Sequence, residues 1–212
     1  MRIPWRRLPS RWHSRKLACQ TDPMSNAPCE PMTLDEFLAW EERQELRWEF
    51  DGFAPVAMNG GTVAHSTING NLSFALHSRL RGSRCRPHGP SLKIEVAGRI
   101  RYPDALVICS PQPNMATIAS DPVVVFEIVS PNRARTDHFV KAREYGSTDS
   151  IQRYIILEQT SQAATVFTRM NGIWASVIVD GDAELEMPEI GISVPLTELY
   201  QDVEFPPDEE NL

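Results

Sequence analysis

The sequence predicts an α/β sandwich, a central mixed β-sheet flanked by helices and β-hairpins, on three observations. Segments with helical apolar spacing alternate along the chain with short β-prone runs instead of being segregated from them. The run Val123-Val124-Val125-Phe126-Glu127-Ile128-Val129 is almost continuously apolar and β-branched, the mark of a strand buried on both faces in a sheet centre. The turn dipeptides Asp51-Gly52 and Asn171-Gly172 each sit between two such runs, where a hairpin needs positive φ angles.

The elements follow in order. Thr33-Leu34-Asp35-Glu36 is a capping box, so a helix is expected from about 34 to 43, with Leu34, Phe37 and Leu38 on one face. Arg47–Phe50 and Phe53–Met58 form a hairpin around Asp51-Gly52. After Asn59-Gly60-Gly61, the residues Ile68, Leu72, Ala75, Leu76 and Leu80 recur at helical spacing, and Gly82 supplies the stop. Strands at 92–96 and 105–109 are joined through Ala97-Gly98-Arg99 and Pro103-Asp104, and a proline-rich loop from Ser110 to Pro122 leads into the 123–129 strand. A helix from about 134 to 145 closes at Gly146, a buried strand follows at Tyr154–Leu157, and hairpin strands lie near 164–168 and 173–179.

At 212 residues with 42% hydrophobic content the chain suits one domain with its own core. The expected boundaries are a basic extension at 1–31, the domain at 32–205 and an acidic tail at 206–212. The extension lacks apolar periodicity and is expected to be disordered or to precede the true start at Met24 or Met32. It holds six basic and two acidic residues, leaving 15 basic and 26 acidic for the remainder, whose net charge is −11. Such an acidic body disfavours non-specific nucleic-acid binding unless a local basic groove exists. Cys19, Cys29, Cys85 and Cys109 lie far apart with no C-x-x-C pair, so neither a zinc site nor a disulfide framework is expected. A reducing, cytoplasmic compartment follows from that. No apolar run approaches the roughly 20 residues of a membrane helix, and no signal peptide is evident.

Glu127 carries the chemistry. A carboxylate inside an apolar central strand is costly to desolvate unless a cation or strong donors meet it. It either pairs with an arginine such as Arg101, or faces a sheet edge, or ligates a metal. Asp104 alone reads as a turn residue after proline. If the strand it opens lies beside the strand carrying Glu127, however, the two carboxylates converge and form a site for a hard cation. Magnesium takes one or two carboxylates, keeps waters and accepts phosphate oxygens, which points to phosphodiester hydrolysis. Lys141 lies on the helix leaving the strand of Glu127, from which its ammonium can reach back to the site. Tyr145, one turn on, can support it or merely pack. Glu49 is a candidate third carboxylate. His65 reads as a cap or surface residue, and Ser130 as a phosphate contact; both stand outside the core set.

These residues resemble the PD-(D/E)XK nuclease superfamily, with Pro103-Asp104 as one half of its motif and Glu127-Ile128-Val129 as the other. Trp48-Glu49-Phe50-Asp51-Gly52, His65, Tyr102-Pro103-Asp104 and Phe126–Pro131 together resemble its Uma-two branch of restriction-endonuclease-like proteins, over roughly residues 32–205. The resemblance implies a restriction-endonuclease-like fold, Asp104 and Glu127 as magnesium (or manganese) ligands, and Glu49 as an accessory acid. Val129 occupies the usual lysine position, and the resemblance implies that Lys141 takes over that role. DNA is the implied partner, and a homodimer is expected by analogy. Three functions follow: a metal-dependent endodeoxyribonuclease, an inert DNA- or protein-binding module on the same fold, or, less favoured for want of an aromatic-rich cleft, a metal-independent carboxylate-pair hydrolase such as a glycosidase.

Overall fold

The Thr33 hydroxyl accepts the Glu36 N–H at 3.3 Å and the Glu36 carboxylate accepts the Thr33 N–H at 2.8 Å, so the expected capping box opens helix α1 (Leu34–Glu41). In this computed structural model residues 31–58, 60–129 and 135–205 are described, the side chains of 135–138 excepted. The expectations for residues 1–30, for Ser130 and for the acidic tail lie outside the described residues.

Phe37 of α1 stacks on Phe50 of β1 (Trp48–Phe50), with ring centroids 4.9 Å apart. The hairpin closes with β2 (Pro55–Ala57); between the two strands the Asp51 carboxylate accepts the N–H groups of Phe53 and Ala54, and Gly52 adopts φ +90°. Thr62 caps α2 (Val63–Leu80), which buries all five residues of its predicted apolar stripe. Next come β3 (Arg86–His88), β4 (Lys93–Val96), β5 (Arg99–Arg101), β6 (Ala105–Ile108), β7 (Ile118–Ala119) and β8 (Pro122–Val129). Helix α3 (Arg135–Gly146) leads to β9 (Arg153–Glu158), then to the hairpin β10 (Ala163–Met170) and β11 (Ile173–Asp180) turning at Asn171-Gly172. Towards the end of the described residues come a hairpin of β12 (Glu184–Met187) and β13 (Ile192–Pro195) and then α4 (Leu196–Leu199), none of which the sequence pattern announced.

The fold is the expected α/β sandwich with mixed sheets. A six-stranded sheet runs β11-β10-β9-β8-β6-β3, and a five-stranded sheet runs β2-β1-β5-β4-β7. β8 sits at the centre of the larger sheet, parallel to β9 and antiparallel to β6. One expected connection is corrected. The 92–96 and 105–109 strands do not adjoin, because β5 intervenes and pairs β4 with β1 in the smaller sheet, while β6 joins β8 in the larger one. The chain crosses between sheets at Tyr102-Pro103-Asp104, where proline has no N–H to commit to either ladder.

Strand alternation separates two cores. Val124, Phe126 and Ile128 face α2 and the β12–β13 hairpin, whereas Val125 and Val129 face β4 and α3 with Ile94, Ala142 and Tyr145. Glu127, between Val125 and Val129 on the alternation, points toward α3.

The expectation of separate thiols is also corrected. Pairing of Arg86 with Ile108 sets Cys85 directly opposite Cys109, Cα atoms 3.9 Å apart, and the two are disulfide-bonded. The bridge joins residues 24 positions apart that only strand pairing brings together, so no local motif could reveal it. The inference of a reducing compartment, which rested on isolated thiols, loses that ground for this pair.

Candidate active site

A cleft of about 730 Å³ opens between the β1–β2 hairpin, the start of α2, the β6–β8 pair and α3. Asp104 enters it because β6 begins at the next residue and pairs Ala105 with Phe126, which brings the Asp104 side chain alongside Glu127 and Ile128. Its Oδ2 accepts the Ile128 N–H at 2.7 Å. Its Oδ1 lies 3.1 Å from Nε2 of His65, on the first turn of α2. The hydrogen bond to Asp104 raises the His65 pKa, with burial opposing it and the charges of Asp104 and Glu127 assisting.

Glu127 is only 8% exposed. Its two oxygens meet Nζ of Lys141 at 3.0 and 3.1 Å, and Oε1 also accepts the Tyr145 hydroxyl at 2.8 Å. Burial pushes the Glu127 carboxyl up to about 7; Lys141 opposes the rise, while Glu49 and Asp104 add to it. Burial, with Glu127 next in weight, also holds the Tyr145 hydroxyl well above its ordinary value, so it serves as a neutral donor.

Lys141, Glu144 and Tyr145 stand at i, i+3 and i+4 on α3 and therefore share one face. Glu144, 4% exposed, accepts Nε and Nη2 of Arg101, both at 2.8 Å, and lies 3.2 Å from Nε of Arg99. Arg101 also donates through Nη1 to Glu49 at 3.1 Å. The other oxygen of Glu49 accepts the Tyr102 N–H at 3.2 Å and stands 3.4 Å from the ammonium of Lys141. Val129 is packed into the core beside Ala142 and Tyr145, so the cation next to Glu127 comes from α3.

Asp104, Glu127, Lys141 and Glu49 thus line one cleft. The arginine partnership weighed for Glu127 is not made, because Arg101 is committed to Glu49 and Glu144. Three neighbours, His65, Arg101 and Glu144, stand outside the set that the residues alone suggested. His65 has two accessible clues, its place just inside a helix start and its position among the residues that carry the family resemblance; nothing in the sequence ties Arg101 to Glu144.

The donor set suits a hard cation. Asp104 and Glu127 offer carboxylate oxygens from adjacent strands, close enough that the charge of one raises the pKa of the other. Among the described residues, no group of three or more His, Cys, Asp and Glu side chains is arranged to hold a metal alone. A two-carboxylate donor set that leaves the remaining positions to water and substrate is the pattern magnesium takes.

No helix of the described residues is long and apolar enough to cross a membrane. Residues 34–197 match the model of a family described as "Uma2: Putative restriction endonuclease". A protein of Synechocystis sp. named "Uncharacterized protein slr1290" is 29% identical over 184 residues, spanning 85% of this chain and 97% of its own length. The crystal structure of "a putative nuclease belonging to DUF820" from Anabaena variabilis matches with a TM-score of 0.67 at 21% identity, over 80% of this chain and 98% of that one, which shows a shared fold. With a family match spanning residues 34–197, this chain belongs to the Uma2 family.

Proposed function

We propose that this protein is a magnesium-dependent endodeoxyribonuclease. The observation that carries the reading is Glu127: a buried carboxylate in the central strand, beside Asp104 and under the ammonium of Lys141, at the wall of an open cleft. The family description and the nuclease neighbour support the same class of chemistry. Asp104 and Glu127 would hold magnesium or manganese, which when bound polarises a phosphoryl oxygen and lowers the pKa of water. Lys141 balances the charge of Glu127 and stands ready to donate to a developing oxyanion. Tyr145 fixes the Glu127 carboxylate, and His65 and the Ile128 N–H fix that of Asp104. Glu49, tied to Arg101 and Tyr102, orients Lys141. DNA is the partner this reading requires; the cytoplasm and a homodimer remain part of it by analogy.

The test is nicking of supercoiled plasmid by the pure protein. Nicking should need magnesium or manganese, stop with a chelator, and be lost in Asp104→Ala and Glu127→Gln. Nicking that survives Asp104→Ala sinks the assignment.

A second reading, an inert binding module, is favoured by Val129 at the usual lysine position and by the acidic body. Calorimetric titration with magnesium and manganese separates the two: heat that is abolished by Glu127→Gln supports the enzyme, and no binding supports the module.

A further inference from the structure

Behind Tyr102, which lines both cavities, a second cleft of about 970 Å³ opens between the end of α1, the edge strand β3 and the 110–119 loop. Its chemistry differs from that of the first. Strand β3 (Arg86-Pro87-His88) is extended, so Arg86 and His88 share a face, and Arg84 stands in the bend that leads into it. Cys85 turns into the core and is bridged to Cys109, while Arg84, Arg86 and His88 all line the cleft. Arg47 joins them from the neighbouring loop. Among the described residues, none of Arg47, Arg84 and Arg86 is ion-paired with a carboxylate, in contrast to Arg99, Arg101 and Lys141 of the first cleft. At the base, Lys93 is cancelled by Glu41, with Nζ to Oε2 at 2.5 Å. The exposed Glu42 and Glu45 line the same cleft, on the stretch that also carries Arg47. Burial first, and then the nearby His77 and Arg86, hold the His88 pKa below its ordinary value.

We propose that this second cleft binds the phosphodiester backbone of a nucleic acid along the face formed by Arg84, Arg86 and His88. Arg86 and His88, alternate residues of β3, are about 6.8 Å apart, a spacing comparable to the step between successive phosphates. Arg84 and Arg86 each offer a guanidinium fork suited to a phosphate oxygen pair. The disulfide anchors Cys85, which sits between the two arginines, to Cys109. On a body whose net charge beyond residue 31 is −11, this is the local basic groove that nucleic-acid binding demands. The proposal rests on the nucleic-acid reading of the protein but not on catalysis at the first cleft.

The experiment uses the full chain with a fluorescein-labelled DNA duplex in chelator, followed by anisotropy across a salt series. Arg84→Ala/Arg86→Ala removes only exposed side chains and should keep the wild-type melting temperature. Affinity should fall about tenfold or more, and the slope of log affinity against log salt should drop by about 2, close to one for each phosphate no longer neutralised. Glu42→Ala/Glu45→Ala should tighten binding. Unchanged affinity and slope in the arginine variant overturn the proposal, as does an absence of wild-type binding. Complete displacement of the duplex by millimolar inorganic phosphate also overturns it, since that marks a pocket for a single anion. Asp104→Ala separates the two readings: it should keep DNA affinity while losing nicking, so a failure of catalysis leaves this cleft standing, and the reverse.

Discussion

Replacing Glu127 by glutamine should flatten part of the pH dependence of stability, and the structure gives the size of the effect. Glu127 has an ordinary pKa of 4.5 that burial, against Lys141, pushes up to about 7. Between those values the folded protein keeps a proton that the unfolded chain has released. The stability due to this group is therefore full below 4.5 and is lost as the pH rises through about 7. At about 1.4 kcal/mol per pH unit, the interval from 4.5 to 7 amounts to about 3 kcal/mol. His65, whose pKa is also raised, adds to the loss in the same direction, so the raw curve does not isolate Glu127. The measurement is urea unfolding in chelator at about pH 5 and about pH 8 for wild type and Glu127→Gln, taking the difference of differences. The variant should lose roughly 3 kcal/mol less across that range, and, on the proposed metal-dependent reading, magnesium added at the higher pH should restore the wild type by binding the deprotonated carboxylate. Equal pH dependence in the two proteins refutes the reasoning.

Three further outcomes follow from the same geometry. On the proposed metal-dependent reading, apparent manganese affinity, measured by calorimetry, should tighten about tenfold per pH unit up to about 7 and then level off, as the proton on Glu127 competes with the ion. Arg101→Met strips the guanidinium from the buried Glu144 and from Glu49 and should cost about 3–5 kcal/mol in urea unfolding, with Arg101→Lys recovering only part, since lysine cannot make the two-pronged contact; a cost below about 1 kcal/mol contradicts the pairing. Cys85→Ala/Cys109→Ala opens a loop of 24 positions and should lower stability by about 3 kcal/mol, read by thermal melting beside wild type with and without a thiol reductant.

Much of this was legible in the residues themselves because it depends on local chemistry. The Thr33–Glu36 box, the Asp51-Gly52 turn, the apolar stripe from Ile68 to Leu80 and the 123–129 run each state their structure within a few positions. Glu127 was conspicuous for the same reason, a charged residue in an apolar strand. What escaped was short or distant. β3 and β5 have three residues each, too few to show alternation, and β12 and β13 have four. The bridge between Cys85 and Cys109 exists only once β3 lies against β6. The pairings of Arg101 with Glu144 and of His65 with Asp104 join different elements, and composition gives no means of choosing among 15 basic and 26 acidic residues after position 31. Asp104 beside Glu127 was reachable because a single assumption sufficed, that the strand Asp104 opens lies beside the one carrying Glu127; the short β7 between them belongs to the other sheet.

The cleft draws its parts from far along the chain: Glu49 and Lys141, 3.4 Å apart, are separated by 92 positions. No fragment that stops before α3 can gather the acids under a cation, however well its own hairpins form. On the ribosome the ingredients stay scattered until most of the protein has been made, and they scatter again when it unfolds. Intact tertiary structure is thus the condition for the site: this cluster of acids under a cation comes into being only in a finished molecule, and a misfolded copy carries the same side chains apart.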